Sequence, residues 1–244
     1  MLLLAGFGCD HTFWEPVASR LASESMVICP DNRGCGRTRA PDGAWTVERM
    51  ADDAAALLDH LGVEAAHVAG HSMGGEIAQE LALNHPARVR SLMLLSTGAR
   101  SSARLRSIVE TAARMPLHAP AEVCSRAFLP WLFTEEFFKT PRAVDASLAR
   151  TLNNPHPPTL EGLAGQSAAI GLFDASGRVG SIRRPTLVLA GVDDILTPLA
   201  CSRDLARRIP GAELVVLDPG AHDIVNETPR ALSDAMLAFV SRLG

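Results

Sequence analysis

The stretch VAGHSMGGEIAQ, residues 68–79, sets one serine, Ser72, inside Gly70-His71-Ser72-Met73-Gly74, a G-x-S-x-G pattern. Ahead of it, Ala65-Ala66-His67-Val68-Ala69 is a short run suited to a buried strand. Behind it, Ile77, Leu81 and Leu83, with Ala78 and Ala82, follow helical spacing. A serine on such a strand-to-helix turn can sit on strained backbone with its hydroxyl pushed out of the sheet. Glycines on both sides let backbone segments approach without Cβ clashes. Taken alone, the pattern is equally a glycine-rich turn without chemistry, and its meaning depends on the rest of the chain.

Working outward, short apolar runs alternate with helical patterns, which predicts a mostly parallel sheet covered by helices on both faces. The expected strands are 2–4, 26–29, 66–69, 91–95, 186–190 and 213–217, and the expected helices lie near 14–23, 47–61, 75–84, 199–208 and 230–243. Two helices end cleanly, at Gly62 and at Pro86. The interval 100–184 breaks the rhythm. It reads as several helices jointed at Pro116, Pro120, Pro141, Pro155, Pro157 and Pro158, with no convincing strand. A helical cap inserted at 100–184 into a core formed by 1–99 and 185–244 is therefore expected. Phe128, Trp131, Phe133, Phe137 and Phe138 lie in it. Internal packing is the plainer use for such a cluster, but a lid over a pocket would use some rings for both, and Trp131 and Phe138 are the candidates for pocket wall.

With 244 residues the chain can bury a large core, and 47% hydrophobic with 20% charged residues is ordinary for a soluble globule. A formal net charge of −4 with no basic stripe argues against a general nucleic-acid surface. Lys139 is the only lysine, a skew read as coding bias. No apolar run approaches membrane-spanning length. Met1-Leu2-Leu3-Leu4 is too short for a signal-peptide core and has no charged lead. Cys9, Cys29, Cys35, Cys124 and Cys201 are scattered without metal-ligand spacing, as expected for reduced thiols in a cytoplasmic protein.

A serine hydroxyl is a poor nucleophile unless a base takes its proton and an acid orients the base. Both kinds of partner follow later strands. Gly191-Val192-Asp193-Asp194-Ile195-Leu196-Thr197-Pro198 comes after 186–190, and Pro219-Gly220-Ala221-His222 comes after 213–217. Asp193 and Asp194 are both candidate acids. Cys9 has no evident activating base and is read as a bystander, and His71, beside the serine, as structural.

Together these segments resemble the α/β-hydrolase-fold family from Leu2 to the C-terminus. Gly70-His71-Ser72-Met73-Gly74-Gly75 is similar to its nucleophile elbow, Gly191-x-x-Asp194-x-x-x-Pro198 to its acid loop, and Gly220-Ala221-His222 with Glu227-x-Pro229 to its histidine loop. Asp31-Asn32-Arg33-Gly34-Cys35-Gly36-Arg37-Thr38 is similar to its loop after the next strand. The resemblance implies a triad of Ser72, Asp194 and His222 in the family's chain order. Some relatives place the acid after the preceding core strand, where Ser96-Thr97-Gly98 offers no carboxylate. Asp223 and Glu227 are expected to be loop contacts. The resemblance further implies an oxyanion hole from the backbone N–H groups of Met73 and Phe7. Relatives commonly carry His-Gly where this chain has Ala5-Gly6, so that histidine's support of the loop is missing.

The implied activity is hydrolysis of a small carboxylic ester or lactone through an acyl-enzyme on Ser72, with no cofactor or metal. Carbon–carbon bond hydrolases and cofactor-free haloperoxidases share the triad, and some relatives with it are small-molecule sensors with little turnover. Gly74-Gly75 leans toward an enzyme. Relatives usually have two further strands ahead of the oxyanion strand, which here begins almost at Met1. Two consequences are expected: six core strands with 26–29 at an uncovered edge open to a homo-oligomer, or a true polypeptide that starts upstream.

Overall fold

In the computed structural model, which describes every residue except 41, 42 and 44, five strands form one parallel sheet in sequence order. They are β1 Leu2–Leu4, β2 Ala66–His71, β3 Val89–Leu95, β4 Thr186–Gly191 and β5 Glu213–Leu217. The alternation of a strand sends successive side chains to opposite faces. Leu2, Leu4, Val68, Leu92, Leu94 and Val188 enter one core, and Leu3, Ala69, Met93, Leu95, Leu187 and Leu189 enter the other. Helix α1 (Glu15–Ala22) covers the second face. Helices α2 (Val47–His60) and α3 (Met73–Asn84) cover the first. α3 is the most deeply buried helix, and it buries Glu76, Gln79 and Glu80 along with its apolar residues.

Between β3 and β4 the chain forms α4 (Ala103–Arg114), α5 (Ala121–Leu132), α6 (Glu135–Phe138), α7 (Pro141–Leu152) and α8 (Leu160–Leu172). An isolated antiparallel bridge, Arg100 with Asp174, closes the root of this insertion. Its helices are not equivalent. α4 and α8 send Leu105, Val109, Ala169 and Ile170 into the core shared with α2 and α3. The helices α5 to α7 instead surround a small cluster of their own, Leu129, Phe133 and Leu148. The chain then completes the domain with α9 (Leu199–Arg208), α10 (Ile224–Glu227) and α11 (Pro229–Ser241).

The expected sixth strand, 26–29, is reduced to a single bridge between Leu2 and Ile28. The Ile28 N–H donates to the Met1 carbonyl at 2.8 Å, and the Ile28 carbonyl accepts from Leu3 N–H at 2.9 Å. The next donor along that parallel ladder would be residue 30, and Pro30 has no N–H to give. The segment still lies outside β1 at the sheet edge.

The register aligns Leu4 with Gly70, His71 with Leu95, and Gly191 with Leu217. Every strand therefore ends at the same edge, and the loops that carry Phe7, Ser72, Asp194 and His222 emerge side by side. That is where open α/β sheets place their ligands.

Candidate active site

Ser72 joins β2 to α3 with φ 53° and ψ −117°, a conformation that side-chain-bearing residues rarely adopt. Such backbone costs about 1–3 kcal/mol and persists only where the surroundings over-determine it. Here they do. Ser72 N–H donates to the Leu95 carbonyl at 2.9 Å, while the Ser72 carbonyl accepts from Gly75 N–H and from the Thr97 hydroxyl, both at 2.9 Å. The flanking glycines are set by close approach. A Cβ on Gly70 would fall 2.0 Å from the Gly74 carbonyl oxygen, and one on Gly74 would fall 2.0 Å from that of Leu4. Across positions 68–82 every residue is buried except Ser72, which is the most exposed residue of the turn.

His222 and Asp194, 2% and 4% exposed, meet through His222 Nδ1 and Asp194 Oδ2 at 2.9 Å. Asp194 Oδ1 accepts from the N–H groups of Leu196 at 2.9 Å and Thr197 at 2.8 Å. The Thr197 hydroxyl lies 2.7 Å from Oδ2. Burial works to raise the Asp194 pKa, but the charge of His222 and these hydrogen bonds outweigh it and hold the carboxyl below its ordinary value. A carboxylate facing Nδ1 fixes the proton there and leaves Nε2 of His222 as the free lone pair. Asp193, the other candidate acid, is exposed; its N–H donates to the Gly220 carbonyl at 2.8 Å. Of the two aspartates, Asp194 is the one whose carboxylate reaches the imidazole.

His71 is buried behind this pair. Its Nε2 lies 2.9 Å from the His222 carbonyl, which can only accept, so Nε2 carries the proton. Its ring packs on Phe13 and His222 at centroid distances of 4.7 and 4.9 Å. Burial first, then the nearby His222, lowers its pKa to about 3, so it stays neutral. Its reading as a structural histidine agrees with these contacts.

Met73 is the first residue of α3, where a helix leaves its N–H groups without intrahelical acceptors. Phe7 follows Gly6 in the loop after β1, and both Phe7 and Met73 line the cavity that holds Ser72 and His222. The support that Ala5 cannot provide comes from elsewhere. Asn32 donates to the Ala5 carbonyl at 2.8 Å, and Gln166 of α8 accepts from Gly8 N–H at 2.9 Å while donating to the Arg33 carbonyl at 2.8 Å. Gln166 carries no local sequence signal for this role, because it acts on loops distant in the chain. Cys9 also lines this cavity, and burial pushes its thiol pKa far up.

The cavity has a volume of about 490 Å³ and lies between the sheet edge and the insertion. Its apolar wall includes Phe13, Leu105, Val109, Phe128, Leu129 and Phe133, and Glu76, Arg150, Asn154 and Asp223 are polar exceptions. The pocket-wall expectation for Trp131 and Phe138 is corrected here, since neither ring lines the cavity. Phe138 packs edge-to-face on Phe137 at 5.7 Å against the cluster inside the cap, and Trp131 packs on the main core. Glu227 makes loop contacts, and Asp223 bonds Asn226 through its carboxylate while also lining the cavity. Glu227 accepts from Ala221 N–H at 2.8 Å and from the Thr134 hydroxyl at 2.7 Å, tying the histidine loop to the cap. Asp223 N–H donates to the Leu132 carbonyl at 2.9 Å. Among the described residues one group could gather round a cation, Asp10, His11 and Asp31. Its members already hold each other and their neighbours: His11 Nδ1 pairs with Asp31 at 2.8 Å, and Asp10 accepts from Thr12 N–H at 2.9 Å and from Asn154 at 2.8 Å.

Known proteins resemble this chain along its length. A relative from Azorhizobium caulinodans named "Putative carbamate hydrolase RutD" is 36% identical over 244 residues, spanning 100% of this chain and 91% of its own length. Among solved structures, an enol-lactonase from Burkholderia xenovorans superposes with a TM-score of 0.88 at 28% identity, covering 98% of this chain and 90% of its own. A thermophilic esterase from Thermogutta terrifontis gives 0.88 at 29% identity, covering 99% and 89%. Residues 1–229 match the family model for the alpha/beta hydrolase fold, from the oxyanion-side loop through the histidine loop, and the chain belongs to that family.

Proposed function

We propose that this protein is a serine hydrolase that cleaves a small carboxylic ester or lactone through an acyl-enzyme on Ser72. One observation carries the reading: the strained, solvent-reachable Ser72 shares a cavity with a buried histidine whose Nδ1 is engaged by a carboxylate. Nε2 of His222 takes the Ser72 proton as Oγ attacks the carbonyl carbon, and the developing oxyanion is met by the N–H groups of Met73 and Phe7. The leaving group takes the proton from His222. Water, activated by the same histidine, then releases the acid. Asp194 holds the tautomer and stabilises the imidazolium. The sequence of steps needs no cofactor, and the largely apolar wall suits a modest hydrophobic acyl or alcohol group.

A second reading has its own support. Relatives matching the whole chain are named as carbamate hydrolases, and a carbamate carbonyl is open to the same attack. Esters, lactones and carbamates share the acyl step and differ in the leaving group, so a panel of all three is the direct comparison.

The decisive experiment is turnover of p-nitrophenyl acetate and butyrate by purified protein. Multiple turnovers are expected; a single burst would favour the sensor reading. Ser72→Ala should lower the rate by on the order of 10⁶-fold. Asp194→Asn should lower it by about 10⁴-fold, as loss of the orienting carboxylate does in other triads. Asp193→Asn should have little effect. Residual activity of more than a few per cent in Ser72→Ala, or equal losses at the two aspartates, would overturn the assignment.

A further inference from the structure

Helix α7 turns a polar face to the cavity that holds Ser72. Ser147, Arg150 and Thr151 stand at i, i+3 and i+4 and all line it, and Asn154 continues the row just past the helix end. Among the described residues, Arg150 is the one arginine or lysine of the cavity wall. Other arginines of the fold meet carboxylates: Arg178 forks onto both oxygens of Glu80, and Arg33 onto both of Asp53. Arg150 does not. Its Nη1 donates to the neutral Oδ1 of Asn226, and it makes no ion pair among the described residues. Its other guanidinium nitrogens have no partner in the chain, yet none is buried, so they are open to water or a ligand. Burial pushes the Cys9 thiol and the Asp223 carboxyl up, and the Arg150 charge acts in the opposite direction on both. Both residues line the cavity, so the guanidinium, and not only its stem, stands beside that space.

The carboxylates nearby are already occupied. Asp10 accepts from Thr12 N–H at 2.9 Å, from the Thr12 hydroxyl at 2.5 Å and from Asn154 at 2.8 Å. The two oxygens of Asp223 are held by the Asn226 side-chain nitrogen at 2.9 and 2.8 Å. Asn226 thus stands between the charges, its nitrogen serving Asp223 and its oxygen serving Arg150. A guanidinium offers five donors in a planar fork that matches a carboxylate. A charge set into an apolar wall is normally paired, and the partner that Arg150 lacks within the chain is an anion.

We propose that Arg150 is a specificity-determining residue that receives a carboxylate carried by the substrate, on the cap side of the cavity that holds Ser72. The substrate class is then an acidic ester or lactone, with a cleavable carbonyl for Ser72 and a free carboxylate for α7. One cation with aspartates close by balances a single negative charge, which fits a carboxylate better than a phosphate dianion. A site with a charged partner in an otherwise apolar wall rejects an analogue lacking the matching group far better than it ranks chain lengths. This substrate class rests on the hydrolase reading with Ser72 as nucleophile, so the test separates the two.

Substrate pairs that differ in charge alone provide that test. On the acyl side these are mono-p-nitrophenyl adipate and the p-nitrophenyl ester of adipamic acid; on the alcohol side, 4-acetoxybenzoate and 4-acetoxybenzamide. Each kcat/KM is divided by the rate of alkaline hydrolysis. Wild type should favour the carboxylate by about 10-fold in at least one pair, the scale of a hydrogen bond to a charged group. Arg150→Met should bring that ratio to within about 2-fold of unity, and Arg150→Lys, which keeps the charge without the fork, should retain part of it. No carboxylate preference in wild type, or the same preference in folded Arg150→Met, overturns the proposal. Arg150→Gln replaces the methionine variant if that one fails to fold, as read from its melting curve. Calorimetry of 4-acetoxybenzoate and 4-acetoxybenzamide binding to Ser72→Ala supplies a readout without chemistry. Preferential binding of the carboxylate that is lost on adding Arg150→Met, in a protein whose wild type turns over neither pair, would sink the serine mechanism and leave recognition by Arg150 standing; turnover without any carboxylate preference in rate or binding would do the reverse.

Discussion

Around Ser72, burial decides which side chains carry charge. His71 stays neutral down to about pH 3, and Asp194 stays a carboxylate because its partners outweigh its burial. Glu76 behaves oppositely, with a pKa of about 8 against an ordinary 4.5. Between those two values the folded state binds a proton that the unfolded chain has lost, so stability contributed at this position falls as pH rises from about 4.5 to 8. Above 8 both states are ionised and the loss is complete. Glu76→Gln cannot titrate. Its melting temperature should therefore match or trail wild type near pH 5 and gain on it by several degrees by pH 8.5, at about 2–4 °C per kcal/mol for a chain of this size. Melting curves across that range are the check, and parallel pH profiles for the two proteins would show that Glu76 is ionised in the fold.

The inserted helices divide by the core they join. α4 and α8 are anchored in the core of the sheet, whereas α5 to α7 surround a three-residue cluster, touch that core through Phe128, Trp131 and Leu132, and have polar ties to the histidine loop. Small separate clusters are the parts of a fold that open at lowest cost. Phe128 and Phe133 face the cavity from this unit, while Phe138 faces inward. Phe128→Ala should thus move the preferred acyl length toward longer esters. Phe138→Ala should leave the length profile where it is and lower stability by about 2 kcal/mol, less than the 3–5 typical of a fully buried ring. Ester-length profiles with melting temperatures on both variants separate the effects, and a shifted profile in Phe138→Ala would contradict the assignment of that ring to cap packing.

At the level of the whole molecule, the sheet is covered on both faces but has a thin edge beyond β1. Among the described residues Ile28 makes the one strand bridge there, the Met26 carbonyl accepts from the Met1 amino group, and Met26 is 65% exposed. An edge with unpaired backbone groups favours pairing with another chain. Concentration-dependent association is the expected behaviour, and Met26→Lys should weaken it by placing a charge on that edge. Light scattering over a range of protein concentrations tests this; a monomer throughout would rule the edge out as an interface. No helix among the described residues is long and apolar enough to cross a membrane.

Sequence alone located β1 to β5, the helical insertion and the candidate triad, because each depends on a local pattern: apolar runs, helical spacing, and short motifs with glycines at positions of close backbone contact. The edge segment was expected as a full strand, and only its pairing shows that it is cut to one bridge, where Pro30 lacks the next ladder donor. Other features needed the fold. That Asp194 and not Asp193 meets His222, that Asn32 and Gln166 brace the oxyanion loop, that Glu80 has an arginine and Glu76 has none, and that Trp131 and Phe138 turn away from the cavity all depend on tertiary neighbours. Periodicity marks a helix face as apolar without saying what it will meet. A hydrogen bond between Gly8 and Gln166 spans 158 positions, and contacts at that separation leave no trace in local spacing because they are set by how the layers pack.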